Sequence, residues 1–397
     1  MLKKHLLPLA TVMVAAFASN AYAEEAASIP VGGMELIPSL LVGYGYDDNV
    51  WGTPGETVSS DFTTFSPKFI LRADKGLNVH ELSYTLFGEY FNDSHDDDHT
   101  DHLFRYDSHL DFNDRNRLDL NAGYTKAKAR RDTTNNFFGE SGNQTDEYKV
   151  GGIYGFGALS GKGQLDLGAN YSWLRYNNNY DTGSQTRLRE RDVANLLATV
   201  YYRVAPKTRA LAEVRYENFD YTASDSRLNS DSYGILGGAT WDLSAKTAGT
   251  VKLGYGKKSF DDNEVSQFDD GKFIWNVAAT WLPRTYSTFT LDSRSYYGEG
   301  SITEAVIDTI NTSLDWKHSW SPYWSTNAKY SYITDDYEGS FNNGRKDKIN
   351  DIDLGLNYRI ARWMDVGAYY RYRDNNSNQS ISDWDRNVYG LRANLNL

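Results

Sequence analysis

Apolar side chains recur at every second position through most of this chain, and that period admits little other than β-sheet. Successive side chains of a strand point to opposite faces. From Leu165 to Trp173, Leu165, Leu167, Ala169, Tyr171 and Trp173 form one set, and Asp166, Gly168, Asn170 and Ser172 form the other. The same split recurs at 351–360 and 364–373, with Ile352, Leu354, Leu356, Tyr358 and Ile360 on one apolar face. Many runs reach 12–15 residues, whereas strands of soluble sheets average about 5–6. A strand tilted across a bilayer needs about 9–11 residues in the apolar zone. These runs are therefore long enough to cross a membrane.

Eighteen such runs are predicted, at about 34–47, 61–73, 77–91, 100–113, 117–131, 145–157, 162–176, 189–204, 207–221, 228–243, 247–260, 270–283, 285–298, 304–318, 323–337, 346–360, 363–374 and 386–397. The connections alternate in length. Asp74-Lys75-Gly76, Asp114-Arg115-Asn116, Ala205-Pro206, Ser244-Ala245-Lys246, a Leu282-Pro283-Arg284 corner and Ala361-Arg362 are short. Segments 47–60, 92–99, 132–144, 177–188, 261–268, 338–345 and 374–385 are long and rich in Asp, Asn, Ser and Gly. Tight turns at one end and long loops at the other characterise outer-membrane barrels. The predicted fold is all-β: a transmembrane, antiparallel, up-and-down β-barrel of about 18 strands, with 16 as the alternative count. An even count puts both termini at the short-turn, periplasmic end.

The first 23 residues carry Lys3 and Lys4, an apolar run from Leu6 to Phe17, and Ala21-Tyr22-Ala23 before Glu24-Glu25. That three-part order is a secretory signal peptide with cleavage near Ala23. Residues 24–33 are then a short periplasmic segment, and 34–397 a single barrel in the Gram-negative outer membrane. Loss of Lys3 and Lys4 leaves 39 basic and 53 acidic residues, a net charge of −14. A basic nucleic-acid groove does not fit that balance. With no cysteine, thiol chemistry and Cys-ligated zinc are excluded.

Aromatic residues make up 14% of the chain, yet mean hydropathy is only −0.62. Trp241, Trp281, Trp316, Trp324 and Trp363 lie beside short turns, and Tyr44, Tyr46 and Tyr372 beside long loops. Rings with one polar handle favour the headgroup level, so these read as two aromatic girdles. Charged residues on the lipid face cost about 2–4 kcal/mol each near the midplane. Glu213, Arg215, Asp292, Arg294, Asp353, Arg359, Asp365, Arg371 and Arg373 are accordingly predicted to line a pore. Inward glycines such as Gly355 and Gly367 would leave it room.

Chemistry-bearing clusters are sparse. His95, Asp97, His99 and His102 sit together in one loop and could ligate a metal by residue type. Their spacing enforces no geometry, so the expectation is no metal and no cofactor. A hydrolase needs a nucleophile beside a base. His109 has Asp107, Ser108 and Asp111 near it in sequence, in no recognisable motif, and no enzyme activity is predicted.

Two resemblances follow. The stretch Asn387 to Leu397 alternates to the end of the chain and resembles the C-terminal insertion signal read by the barrel-assembly machinery, with Leu397 where that signal has Phe or Trp. The Tyr46-Asp47-Asp48-Asn49-Val50 start and the Tyr90-Phe91-Asn92-Asp93 segment resemble a β-barrel porin family of Gram-negative bacteria, the second of its type. Many of its members are encoded beside exopolysaccharide or capsule genes. The resemblance implies a pore for polysaccharide export or assembly, with lipopolysaccharide, surface polysaccharide and periplasmic export proteins as partners. A general small-solute porin, a plugged scaffold or adhesin, and a barrel hydrolase are the alternatives.

Overall fold

The structure is a computed structural model that describes residues 28–132, 141–244, 246–300, 305–339 and 344–396. The signal-peptide segment and Leu397 lie outside the described residues.

Nineteen strands are described: β1 (Ile29–Val31), β2 (Met34–Asp47), β3 (Ser60–Lys75), β4 (Asn78–Phe91), β5 (His99–Asn113), β6 (Asn116–Lys128), β7 (Gln144–Phe156), β8 (Gly163–Tyr176), β9 (Arg191–Ala205), β10 (Thr208–Tyr221), β11 (Ser230–Ser244), β12 (Thr247–Phe260), β13 (Asp270–Arg284), β14 (Ser287–Glu299), β15 (Val306–Ser319), β16 (Trp324–Glu338), β17 (Lys346–Ala361), β18 (Met364–Ser377) and β19 (Trp384–Asn396). Every consecutive pair from β2 to β19 is antiparallel. β19 closes the barrel on β2, from Val388 opposite Asp47 to Asn396 opposite Ser39. Eighteen strands thus form the wall, and the β19–β2 pairing joins its last strand to its first, so neither is left as an open edge strand. β1 is an addition of three residues that folds back on β2.

The long alternating runs become wall strands of 13–16 residues. Two differences from the sequence reading stand out: β6 ends at Lys128, so residues 129–131 of the predicted strand 117–131 lie beyond it, and one corner is placed differently. Leu282, Pro283 and Arg284 belong to β13, and the chain reverses at Thr285 and Tyr286. The register shifts between Trp281 and Arg284, so proline sits where the ladder is already irregular and its missing N–H costs no regular bond.

Each strand turns one alternating apolar set outward. Ile235, Leu391, Val204, Val200 and Leu196 are 70, 68, 59, 54 and 53% exposed. A water-soluble protein does not display a continuous apolar belt of this kind. Hydrocarbon is the surrounding that satisfies it, and closure of the ladder satisfies the backbone within it. The turns between β3 and β4 and between β9 and β10 hold two residues each, while segment 48–59 between β2 and β3 holds twelve. Both ends of the barrel chain, in β2 and β19, lie at the short-turn end.

Candidate functional site

The residues of each strand that alternate with the lipid-facing set line the interior. Glu213 and Arg215 on β10, Asp292 and Arg294 on β14, Asp353 and Arg359 on β17, and Asp365, Arg371 and Arg373 on β18 all fall in that set. Most pair with a neighbour. Arg371 donates to Asp353 at 2.7 Å, Arg215 to Glu213 at 2.6 Å and Arg294 to Asp292 at 3.0 Å, and Arg359 lies 3.4 Å from Asp365. The wall is charged but largely self-neutralised. The predicted glycine gaps are occupied: the Asn327 amide lies across Gly355, and that of Asn357 across Gly367.

The interior is not equally filled along its length. Fully buried side chains concentrate at the long-loop end, where β2, β4, β12 and β18 finish and β3, β15, β17 and β19 begin. One side is packed by Tyr221, Leu228, Phe260, Ala305 and Val306, with Phe219, Val265, Phe268 and Tyr297 against them. Burying a side chain the size of Leu228, Phe260 or Val306 contributes about 2 kcal/mol. Below this cluster Glu299 accepts from Tyr221 at 2.6 Å and pairs with Lys258, whose ammonium lies 4.0 Å from the Phe219 ring centroid.

The other side is packed by residues 129–132, which follow β6. Arg130 reaches Asp47 at the end of β2 (3.0 Å) and Glu89 near the end of β4 (2.8 Å). Arg131 donates to Asp97 at 2.6 Å and stacks on Trp51. Asp132 pairs with Arg386 on β19. Gly52 has φ +60°, and a Cβ there would run into Asp132, so only glycine allows that approach. Burial pushes the Asp132 carboxyl up, but the guanidinium groups of Arg386, Arg373 and Arg130 reverse this and hold it below the usual carboxylate value. Sequence reasoning missed Arg130, Asp132, Arg386 and Asp47. Nothing in a polar loop's composition distinguishes a solvated loop from one folded inward.

Predicted girdle residues take the outer face. Trp281, Trp324 and Trp363 are about half exposed at the short-turn end, and Tyr44 at the long-loop end. Trp316 is anchored by its indole N–H to the Ser287 hydroxyl at 3.0 Å. Tyr46 packs on Tyr389, and Tyr372 shares the outward parity of Tyr370. Trp241 stands opposite Gly249 and Thr208 on the same face. A further order appears among the tyrosines. Tyr124 donates to Asp146, Tyr216 to Asp231, Tyr330 to Asn350 and Tyr370 to Asn387, all at 2.7–2.8 Å. Each acceptor lies on the following strand, one diagonal step toward the long loops.

The histidine loop is dispersed. His95 is exposed, and His102 hydrogen-bonds Tyr84 on the outer face. His99 bonds the Asp97 carbonyl. The Asp97 carboxylate is taken by Trp51, Ser94 and Arg131. Among the described residues, no group of three or more His, Cys, Asp or Glu could hold a metal ion. His109 pairs with Asp119 at 2.6 Å in the lumen, whereas Ser108 bonds His80 at 3.0 Å on the opposite face. The wall itself separates that hydroxyl from that imidazole.

At the short-turn end a cavity of about 700 Å³ opens between Tyr286, His318, Trp320 and Tyr323 of the rim and Asn357, Arg359 and Asp365 of the wall.

Comparison with known proteins adds three findings. The family model described as "Putative beta-barrel porin 2" matches residues 23–397. No sequence among the curated proteins matches the chain. Among solved structures, OpdL of Pseudomonas aeruginosa is similar at 13% identity and a TM-score of 0.47, over 92% of this chain and 100% of that one. OccK3 (OpdO) of the same organism is similar at 13% identity and a TM-score of 0.49, over 91% of this chain and 95% of that one. The FrpB iron transporter of Neisseria meningitidis is similar at 11% identity and a TM-score of 0.45, over 85% of this chain and 62% of that one.

Proposed function

The chain belongs to the family described as putative beta-barrel porin 2, and on that footing we propose that it is a non-enzymatic diffusion pore for small polar solutes in the Gram-negative outer membrane. One observation carries this reading. A closed barrel of 18 strands encloses a water-filled interior, and here charge-paired residues line that interior while packed side chains narrow its long-loop end. Self-neutralised walls hold polar solutes weakly. Weak, repeated contacts suit passage better than tight binding, since a solute must also leave.

The narrowing favours small solutes over a polymer. Export of a polysaccharide chain needs continuous clearance through both ends, and the apolar packing of Tyr221, Phe260 and Val306 opposes it. In this reading the long loops face outward, the short turns and both termini face the periplasm, and the apolar belt contacts lipid and lipopolysaccharide.

The test is conductance in planar bilayers, with liposome swelling by sugars of increasing size. Discrete open channels that pass mono- and disaccharides and exclude longer chains support the proposal. A folded barrel that never conducts moves the reading to a plugged scaffold. Channels blocked by purified surface polysaccharide move it to a polymer conduit.

A further inference from the structure

Arg373 on β18 and Arg386 on β19 occupy directly opposed positions of the ladder. Both belong to the inward-facing set. Like charges placed opposite one another destabilise a sheet, so this pairing needs a compensating anion. The barrel strands next to them do not complete it. Asp351, opposite Arg373, has a buried carboxylate oxygen without a hydrogen-bond partner, and so has the Arg373 Nε. The anion that does arrive comes from outside the wall: Asp132, 254 residues away from Arg386 in sequence.

That contact is incomplete. Arg386 is 3% exposed. Its Nη2 donates to Asp132, but its Nε and Nη1 are buried without a hydrogen-bond partner, as is the Asp132 Oδ1. A guanidinium offers five donors in a fixed fork that matches a carboxylate bidentately. Here the fork is present, desolvated and used at one tooth. An unmade hydrogen bond of a buried charged group is costly, so a carboxylate free to take the bidentate position is bound better than the one the chain supplies.

We infer that the Arg373–Arg386 pair is a binding cradle for a small monocarboxylate solute, in which Asp132 holds the solute's place when none is bound. This rests on the pore reading for how the solute arrives, and not for whether it binds. A single carboxylate is selected because it takes the place of a single carboxylate. Arg373 faces Asp351 across the ladder and Asp335 on β16, so a solute with one negative charge takes over the charge that Asp132 supplies and leaves the local balance as it was.

The site has a built-in reporter. The Arg386 guanidinium lies 5.4 Å from the centroid of Trp384, which is 7% exposed. The experiment is a titration of the full barrel in detergent micelles with sodium acetate against sodium chloride at constant ionic strength, followed by tryptophan fluorescence. Trp384→Phe identifies the responding ring. The expected result is a saturable change whose midpoint falls at least tenfold in Asp132→Asn and which is lost in Arg373→Gln with Arg386→Gln. Equal midpoints for the parent and Asp132→Asn overturn the proposal, and this arm stands even where the arginine variant fails to fold. A folded arginine variant that saturates like the parent also overturns it, as does tighter saturation by inorganic phosphate than by acetate. Binding in micelles needs no open channel, so loss of conductance and loss of the cradle are read separately.

Discussion

Glu213 on β10 and Lys252 on β12 meet 2.5 Å apart across the strand that separates them. Both are buried, and Glu213 also accepts from Thr199 at 2.9 Å and from Arg215 at 2.6 Å. One carboxylate thus ties together two cations, Arg215 on β10 and Lys252 on β12, and the Thr199 hydroxyl on β9. Glu213→Gln leaves Lys252 and Arg215 without a counter-charge in a desolvated setting. The expected cost is about 2 kcal/mol, the scale of hydrogen bonds to charged groups. It is read as a lower urea midpoint for unfolding from micelles. The same change adds net positive charge to the lumen and shifts the reversal potential toward anions. Unchanged selectivity would place Glu213 off the conducting path.

Strands and site were not equally legible in the sequence. The strand positions follow from the period-two pattern, and the observed boundaries lie within a few residues of it. Pro283 misled because proline commonly marks a turn, whereas here an irregular ladder next to Trp281 absorbs it. Inward parity for Asp353 and Arg371 follows from the same alternation. The pairing of Arg130 with Asp47 and Glu89, or of Asp132 with Arg386, does not. Those contacts join residues distant in the chain through a loop whose composition suits water equally well. Gly52 is the faint signal, since a glycine flanked by Trp51 and Thr53 marks close backbone approach only after the neighbour is known.

On β18, Arg371 and Arg373 place two cations on the wall, of which Arg371 is paired with Asp353 at 2.7 Å. Replacing both by glutamate reverses four units of charge on one strand. In a potassium chloride gradient the reversal potential is expected to move toward cation selectivity, more at low salt than at 1 M, because the Debye length contracts from about 30 Å at 0.01 M to 3 Å at 1 M. A reversal potential indifferent to these substitutions at low salt would mean that ions bypass β18.

Trp281, Trp324 and Trp363 are half exposed beside the short turns, while the outward leucines and valines lie farther along the strands. Indole rings settle at the headgroup level. Single-tryptophan versions of the barrel, reconstituted with brominated phospholipids, are expected to be quenched most by bromines near the headgroup and least by bromines at the chain ends. Substituting Trp363 by alanine should leave the fold intact, since its ring is about half exposed on the outer face. Deep quenching of all three rings would shift the membrane boundary toward the turns and shorten the spanning part of each strand.

The Asp132 latch has a definite acid limit. Burial raises the carboxyl, but Arg386, Arg373 and Arg130 together with the Arg386 hydrogen bond bring its pKa below the ordinary aspartate value, which is about 3.9. A carboxylate whose pKa is depressed in the docked state stabilises docking above its undocked value and loses that contribution as pH falls through the docked one. Docking of residues 129–132 is therefore expected to be constant from pH 7 down to about 4 and to weaken only below that. Single-channel conductance should follow the same course, with a step to a different level on the acid side. Asp132→Asn removes the charge at every pH and should show the acid-side level at pH 7. A transition centred near pH 6 in the parent, or an Asp132→Asn channel that still steps below pH 4, would assign the acid response to some other group.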